Sequence, residues 1–202
     1  MDDDLRVDLD RIRTDVEQLA TRFGVSAPSV EAGKVSEWCL DGVEPRFRTQ
    51  QPPTVTIGPM FDSLSQSERQ GALAEAIVSL DLQWAGRYRL LLTVIVMVVV
   101  PYAALELVER LDLLPGMTHW HWGGLSLITG LTGILVAHCV YGRRTIYHLD
   151  RRMTEVLGRE LTEITIVLGA RSRAAAGGFM RLSIPSAPQR LRRLDSDPPS
   201  DG

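Results

Sequence analysis

The sequence predicts a mainly α-helical protein with a small β element, in which two membrane-spanning helices form a hairpin. Two long apolar stretches, at about residues 90–108 and 119–141, carry this prediction. Each is long enough to cross a membrane, because roughly 20 apolar residues span the hydrocarbon core as a helix. Only residues 109–118 connect them, so we expect the chain to turn straight back and leave both flanks on one side. Helical periodicity in those flanks then predicts a helical domain formed by both.

The N-terminal part, residues 1–88, contains two helix patterns separated by a strand. Apolar residues recur at spacings of three and four, which predicts an amphipathic helix that ends near Gly24. These residues are Leu5, Leu9, Ile12, Val16, Leu19 and Phe23. Residues 54–57 read Thr-Val-Thr-Ile, a β-prone run that ends in a turn. Ser65 and Glu68 form a capping box, which predicts a helix from Gln66 towards Trp84.

Charges around the hairpin, residues 89–141, predict its orientation. The flanks carry an arginine excess, whereas the connection, with Glu109, Arg110 and Asp112, has none. The flanking arginines are Arg87, Arg89, Arg143, Arg144, Arg151 and Arg152. Because basic residues concentrate on the cytoplasmic side, the sequence predicts a two-span protein of the cell membrane with both termini in the cytoplasm. The alternative is a pair of buried core helices in a soluble protein.

The C-terminal part, residues 142–194, is predicted to be helical and cytoplasmic. One helix is expected from about 143 to 168, and a last short helix over 185–194. Residues 195–202 read Asp-Ser-Asp-Pro-Pro-Ser-Asp-Gly, a polar composition typical of a disordered tail.

Composition excludes two classes of function. The net charge of −3 argues against a nucleic-acid-binding protein, which would show a strongly basic face. Two cysteines, Cys39 and Cys139, are too few for a disulfide framework or a four-cysteine zinc site.

Three segments resemble a known family in their order along the chain. Leu64-Ser65-Gln66-Ser67-Glu68 opens the helix before the hairpin, Tyr147-x-x-Asp150 follows the hairpin, and Pro185-Ser186-x-x-x-Arg190-Leu191-x-Arg193-Leu194 comes last. Over roughly residues 10–194, this layout resembles the membrane zinc metallopeptidases of the HtpX heat-shock protease kind. The resemblance implies a cytoplasmic metallopeptidase-type domain formed from both flanks. It also implies a His-Glu-x-x-His motif on the helix before the hairpin and a zinc-binding glutamate on the helix after it.

This chain lacks the zinc-binding residues that the resemblance implies. Two histidines four residues apart bind the metal in such a motif, and the glutamate activates water. Counted from Leu64, the histidine positions hold Glu75 and Ser79, the glutamate position holds Ala76, and the third ligand position holds Ile146. A shift of one residue, to 74–78, still supplies no histidine. We therefore expect a degenerate member without catalytic residues, zinc or any other cofactor.

Several polar residues could still have a role. Glu75, His148 and Asp150 are predicted to form a polar remnant of the former cleft. His119 and His121 alternate with tryptophans at the outer end of the second span, where aromatic residues anchor proteins in the interface. Whether these two histidines bind a metal or sense pH stays open at this point.

The predicted function is to bind or scaffold a polypeptide or partner subunit at the cytoplasmic membrane face, without catalysis. A peptide would add to an edge strand, predicted at Thr54, Val55, Thr56 and Ile57, because strand addition needs no catalytic residue. One alternative is an active membrane zinc metalloendopeptidase with non-standard ligands. Another is a structural subunit of a larger membrane complex, since small residues in the second span allow close helix packing. These are Gly123, Gly124, Ser126, Gly130, Gly133 and Ala137. The bilayer is the other expected partner, and the oligomeric state stays open.

Overall fold

The structure is a computed structural model that describes residues 8–37, 39–46, 52–110, 119–175 and 184–196. Within these ranges the chain is mainly helical and contains a three-stranded sheet. The elements are α1 (Leu9–Phe23), β1 (Ser29–Ala32), β2 (Val43–Arg46), β3 (Thr54–Ile57), a 3₁₀ turn (Pro59–Ser63), α2 (Gln66–Arg110), α3 (His119–Leu157), α4 (Arg159–Ala175) and α5 (Ala187–Ser196).

Helix α1 follows its predicted pattern. The Asp8 side chain accepts a hydrogen bond from the backbone N–H of Arg11 at the start of the helix. Gly24 ends it with a φ of 65°, a left-handed conformation that favours glycine. The apolar stripe is buried from Ile12 to Phe23, so the predicted amphipathic helix is confirmed; Leu5 lies outside the described residues.

The sheet has the order β1-β3-β2, with β1 parallel and β2 antiparallel to β3. The prediction that residues 54–57 form an edge strand is therefore wrong. β3 is hydrogen-bonded on both sides, and Thr54, Val55, Thr56 and Ile57 are all buried. Four β-branched side chains in a row, buried on both faces of the sheet, suit a central strand. The edges are β1 and β2.

Helix α2 joins two segments that the sequence suggested separately. It begins at the predicted capping box, where the Glu68 carboxylate accepts hydrogen bonds from the Ser65 backbone N–H and hydroxyl, at 2.9 Å and 2.8 Å. It then continues through Pro101 to Arg110 as one helix of 45 residues. The expected soluble helix and the expected first span are thus one element.

Helices α3 to α5 correct the predicted C-terminal part. α3 ends at Leu157, and Gly158 has a φ of 86°, which separates α3 from α4. The prediction of one helix over 143–168 is therefore wrong: the helix breaks at Gly158, because glycine adopts this left-handed conformation readily. The last short helix is confirmed as α5, but it includes Asp195 and Ser196, so the tail prediction is wrong for these two residues. Residues 197–202 lie outside the described residues.

The core is formed by residues from both flanks. Side chains from α1, the sheet, the start of α2 and the end of α3 share one buried cluster. Phe23, Val55, Ile77 and Met153 are examples from these four elements, each at most 5% exposed. The N-terminal and C-terminal flanks are therefore one packed unit.

One helix among the described residues is long and apolar enough to cross a membrane. It covers residues 123–157, and only 6% of its most apolar window is buried within the protein. A core helix of a soluble protein would be mostly buried, so the exposure supports membrane association. The first span, at residues 90–108, and the orientation of the termini stay predictions.

Candidate functional site

Three charged side chains converge at the point where α2, α3 and α5 meet. The Arg190 guanidinium donates to both carboxylate oxygens of Asp150, with Nη2–Oδ1 at 2.5 Å and Nε–Oδ2 at 2.9 Å. Arg190 is 5% exposed and Asp150 2% exposed. Glu75 is the third member, with its Oε1 3.8 Å from Arg190 Nη2. Two of the segments that carry the family resemblance therefore contribute to this cluster, and Glu75 comes from the helix that the third segment opens.

The local structure fixes the Arg190 end of this cluster. The Arg190 backbone N–H donates to the Ser186 carbonyl, and the Ser186 N–H donates to the Gln189 side chain at the start of α5. The planar guanidinium then meets the carboxylate through two parallel hydrogen bonds, a geometry that lysine cannot provide. Gly169 on α4 lies alongside, because a Cβ there would be 3.7 Å from both Arg190 Nη1 and Glu75 Oε2.

Burial opposes the charge of both Arg190 and Glu75, but the net effect on the pKa favours the charged form only for Arg190. Burial opposes the charge of Arg190, but the hydrogen bonds of Asp150 and the charge of Glu75 raise the pKa of this guanidinium above its ordinary value. For Glu75, burial raises the pKa to about 7, against the attraction of Arg190, and the charges of Asp41 and Asp150 add to the rise. Glu75 thus gains or loses its proton near neutral pH.

The positions at which the resemblance would place a zinc motif lie in or beside this cluster. On α2, Glu75 and Ser79 are half-buried one turn apart, whereas Ala76 is buried. α2 and α3 run in opposite directions. Near the start of α2, Glu75 lies close to the Asp150–Arg190 ion pair, whereas Gly86, further along α2, lies against Tyr141, which comes earlier in α3. Ser79 is therefore level with Ile146, one turn before Asp150.

The chemistry available at these positions is limited. Glu75 supplies a carboxylate, and the Ser79 hydroxyl donates to the Ala76 carbonyl at 2.8 Å. Ala76 and Ile146 supply no polar group. Among the residues that the structure describes, no group of three or more histidine, cysteine, aspartate and glutamate side chains is arranged to hold a metal ion.

The three residues predicted to form a polar remnant do not all come together. Glu75 and Asp150 each lie against Arg190, but His148 lies elsewhere, exposed beside a groove with Arg151, Arg152 and Glu155. Two residues are about 200° of rotation in an α-helix, so His148 and Asp150 face nearly opposite directions. Arg190 was missed as a site residue, although its segment carries the resemblance and could have indicated it.

His119 and His121 lie in the first turn of α3. His121 is exposed there. Metal binding or pH sensing by His119 and His121 stays a prediction.

Comparison with known protein families finds no match, and neither curated proteins nor solved structures give one. The family resemblance therefore depends on the residues of this chain and their arrangement.

Replacing Glu75 by Gln is expected to stabilise the protein at pH 8 and to have little effect at pH 5. The folded state holds a proton on Glu75 up to a pKa of about 7, whereas the unfolded chain loses it near 4.5. Stability therefore falls as the pH rises through this window and stays reduced above it. We expect a gain of about 1–3 kcal/mol at pH 8, measured by thermal unfolding in mild detergent. Glu31→Gln, at an exposed position of β1, is the matched control, and an equal gain at both pH values would contradict the assignment.

Proposed function

We propose that this protein is a catalytically inactive, peptidase-like membrane protein that holds a polypeptide segment or partner subunit at the cytoplasmic membrane face. The observation that carries the proposal is the Glu75–Asp150–Arg190 cluster. It joins two of the segments that resemble the metallopeptidases to the helix that the third one opens, while Ala76, Ser79 and Ile146 offer none of the zinc chemistry. A peptidase-like fold that lacks the catalytic groups can still bind a polypeptide.

Exposed apolar side chains support the proposed two-span hairpin. They occur on both long helices at the depths predicted for the membrane. On α2 they are Leu91, Leu92, Ile95, Val96, Val99, Val100, Tyr102 and Leu107, and on α3 they are Leu125, Leu127, Ile128, Leu131, Ile134, Leu135, Val136 and Val140. Exposure of such a large apolar surface to water would be unfavourable, whereas contact with lipid tails keeps it out of water. The hairpin would present the packed flanks to the cytoplasm.

Edge strand β2 is poorly suited to bind a peptide. The Gly58 N–H donates to the Gly42 carbonyl, so in this antiparallel pair Val43 and Pro45 direct their backbone groups away from β3. The Val43 N–H is already bonded to the Asp41 carboxylate at 3.3 Å. Pro45 has no N–H at all. Both outward donor positions are therefore lost, as is common in protected edges.

Edge strand β1 retains its outward donors. The N–H groups of Ser29 and Gly33 donate to Pro53 and Ile57 on the β3 side. In a parallel ladder the intervening Val30 and Ala32 then direct their N–H and C=O groups away from the sheet. Ala32 is exposed. Of the two edges, β1 is the one that we propose takes an extended polypeptide by strand addition.

Ala32→Pro is expected to weaken binding of an unfolded polypeptide by about fivefold, because it removes one outward hydrogen bond of about 1 kcal/mol. Fluorescein-labelled casein is a suitable probe, with binding followed by fluorescence anisotropy in mild detergent. Glu31→Ala is the control, since it changes an exposed side chain of the same strand and keeps the N–H that faces β3. Equal affinity of the Ala32→Pro variant and the native protein, at an unchanged unfolding midpoint, would refute binding at β1.

A structural role within a membrane complex is the second candidate. The helical glycines Gly123, Gly124 and Gly130 leave open space, because a Cβ at each would have no atom within 4 Å. Such positions allow a further helix to approach closely. A stoichiometric membrane partner retained by the native protein, and lost on Gly130→Leu, would favour this role over peptide capture.

A further inference from the structure

A groove lies between α3 and one face of α5. It has a volume of about 290 Å³ and is lined by Tyr147, Gln189, Arg192, Arg193 and Ser196. The four α5 residues follow the helical spacing i, i+3, i+4 and i+7, so they share one face of that helix. Tyr147 is the residue that α3 contributes, and the groove is therefore formed where the two helices meet.

This face of α5 differs from the one that forms the ion pair. Arg190 is buried against Asp150, whereas Arg192 and Arg193 are exposed. Two residues correspond to about 200° of rotation in an α-helix, so Arg190 and Arg192 point in nearly opposite directions. α5 is thus held to α3 by one arginine and presents two others to the groove.

The polar groups of the groove are mainly hydrogen-bond donors. None of the five lining residues is acidic. Gln189 accepts from the Ser186 backbone N–H through its carbonyl oxygen at 3.1 Å, so its NH₂ group is the part left to bind a ligand. The Ser196 hydroxyl donates to the Arg193 carbonyl at 3.0 Å. A ligand therefore meets two guanidinium groups, the Tyr147 hydroxyl and the Gln189 NH₂ group.

This set of donors suits a phosphate group. A guanidinium donates through two parallel N–H groups, a geometry that fits phosphate oxygens. A phosphate monoester carries a charge of about −1.5 to −2 at neutral pH, which matches the two arginines better than a single carboxylate does. Ligand pockets usually measure about 300–1,000 Å³, so this groove is at the lower end and suits a small molecule.

The position of the groove along α3 favours a soluble ligand over a lipid. Val140, at 58% exposure, is the last large apolar side chain of α3 that is exposed. Tyr147 lies seven residues further, about 10 Å along the helix axis, whereas each headgroup region is about 5–8 Å thick. If α3 crosses the membrane as proposed, the groove lies on the water side of the lipid headgroups.

We propose that this groove binds a small, soluble phosphate monoester that joins α5 to α3. The guanidinium groups of Arg192 and Arg193 bind the phosphate, and the Tyr147 hydroxyl donates to it from α3. Gln189, one turn earlier on α5, donates to an oxygen of the organic part. Because the ligand contacts both helices, it stabilises the position of α5 in which Arg190 meets Asp150. The inference does not depend on polypeptide capture.

The test measures the unfolding midpoint of the full chain in mild detergent against the concentration of glycerol 3-phosphate, which gives an apparent Kd. We expect the midpoint to rise with glycerol 3-phosphate and to stay unchanged with glycerol. Arg192→Gln and Arg193→Gln should each weaken binding about tenfold, and Tyr147→Phe about fivefold. Arg13→Gln, at an exposed arginine of α1 paired with Asp10, is the control and should bind like the native protein.

Four results would overturn the proposal. An equal rise with sodium chloride at the same ionic strength would indicate a general salt effect. A loss of affinity in Arg13→Gln as large as in Arg192→Gln would indicate simple charge attraction. Unchanged affinity of Tyr147→Phe would remove the link to α3. A rise with phosphatidic acid but not with glycerol 3-phosphate would indicate a lipid site. Casein binding is measured on the same variants and should not change, so the failure of one proposal can be told from that of the other.

Discussion

Asp150→Asn is expected to lower the free energy of unfolding by about 3–5 kcal/mol. The substitution leaves the buried Arg190 guanidinium without its charged partner, and Glu75 at 3.8 Å is too far away to replace two short hydrogen bonds. The measurement is thermal or denaturant unfolding in mild detergent. Glu163→Gln is the control, because it breaks an exposed pair with Arg159 and should cost less than about 0.5 kcal/mol.

A double variant distinguishes the loss of the ion pair from a general packing defect. Asp150→Leu combined with Arg190→Met removes both charges and fills the site with apolar side chains. Replacement of a buried ion pair in this way is often close to neutral, so we expect most of the lost stability to return. A double variant as unstable as Asp150→Asn would show that the charges are not the cause.

Introducing the ligands that the resemblance implies is expected to create a zinc site. Glu75→His, Ser79→His and Ile146→Glu together place two imidazoles one turn apart on α2, level with a carboxylate on α3. Three such ligands plus water form the usual catalytic zinc centre. We expect the metal content to rise to about one zinc per chain, measured by elemental analysis after dialysis. Ala76 is left unchanged because it is buried and its position does not ligate the metal.

The control for the restored site lacks one histidine. A variant with Glu75→His and Ile146→Glu alone has two ligands on opposite helices and should retain little zinc. If the triple variant is folded but holds no more zinc than this control, the three ligand positions do not share a cleft and the resemblance to the metallopeptidases fails.

Local patterns predicted much of the fold. The spacing of apolar residues predicted α1, and the Ser65–Glu68 box predicted the start of α2, because both depend on neighbours within one or two helical turns. Strand β2 was harder to foresee, since Val-Glu-Pro-Arg is not a β-prone run. The order of the sheet depends on pairing between distant segments, which is why β3 was mistaken for an edge.

For the candidate site, too, the sequence predicted positions along the chain better than contacts between distant segments. Spacing relative to the resembling segments singled out Glu75 and Asp150, and both residues lie against Arg190. It could not tell which side of α3 carries the contact, so His148 was wrongly included. The break at Gly158 was missed because a glycine within a helical pattern is tolerated at about 1 kcal/mol and does not by itself indicate a left-handed residue.

The metal content of the native protein tests the proposed inactive frame most directly. The protein would be purified in mild detergent with zinc present throughout, then dialysed and measured by elemental analysis. We expect well below one zinc per chain, because the positions of the motif hold Glu75, Ala76, Ser79 and Ile146. About one zinc per chain, together with cleavage of a peptide, would contradict an inactive frame and indicate an active peptidase with other ligands.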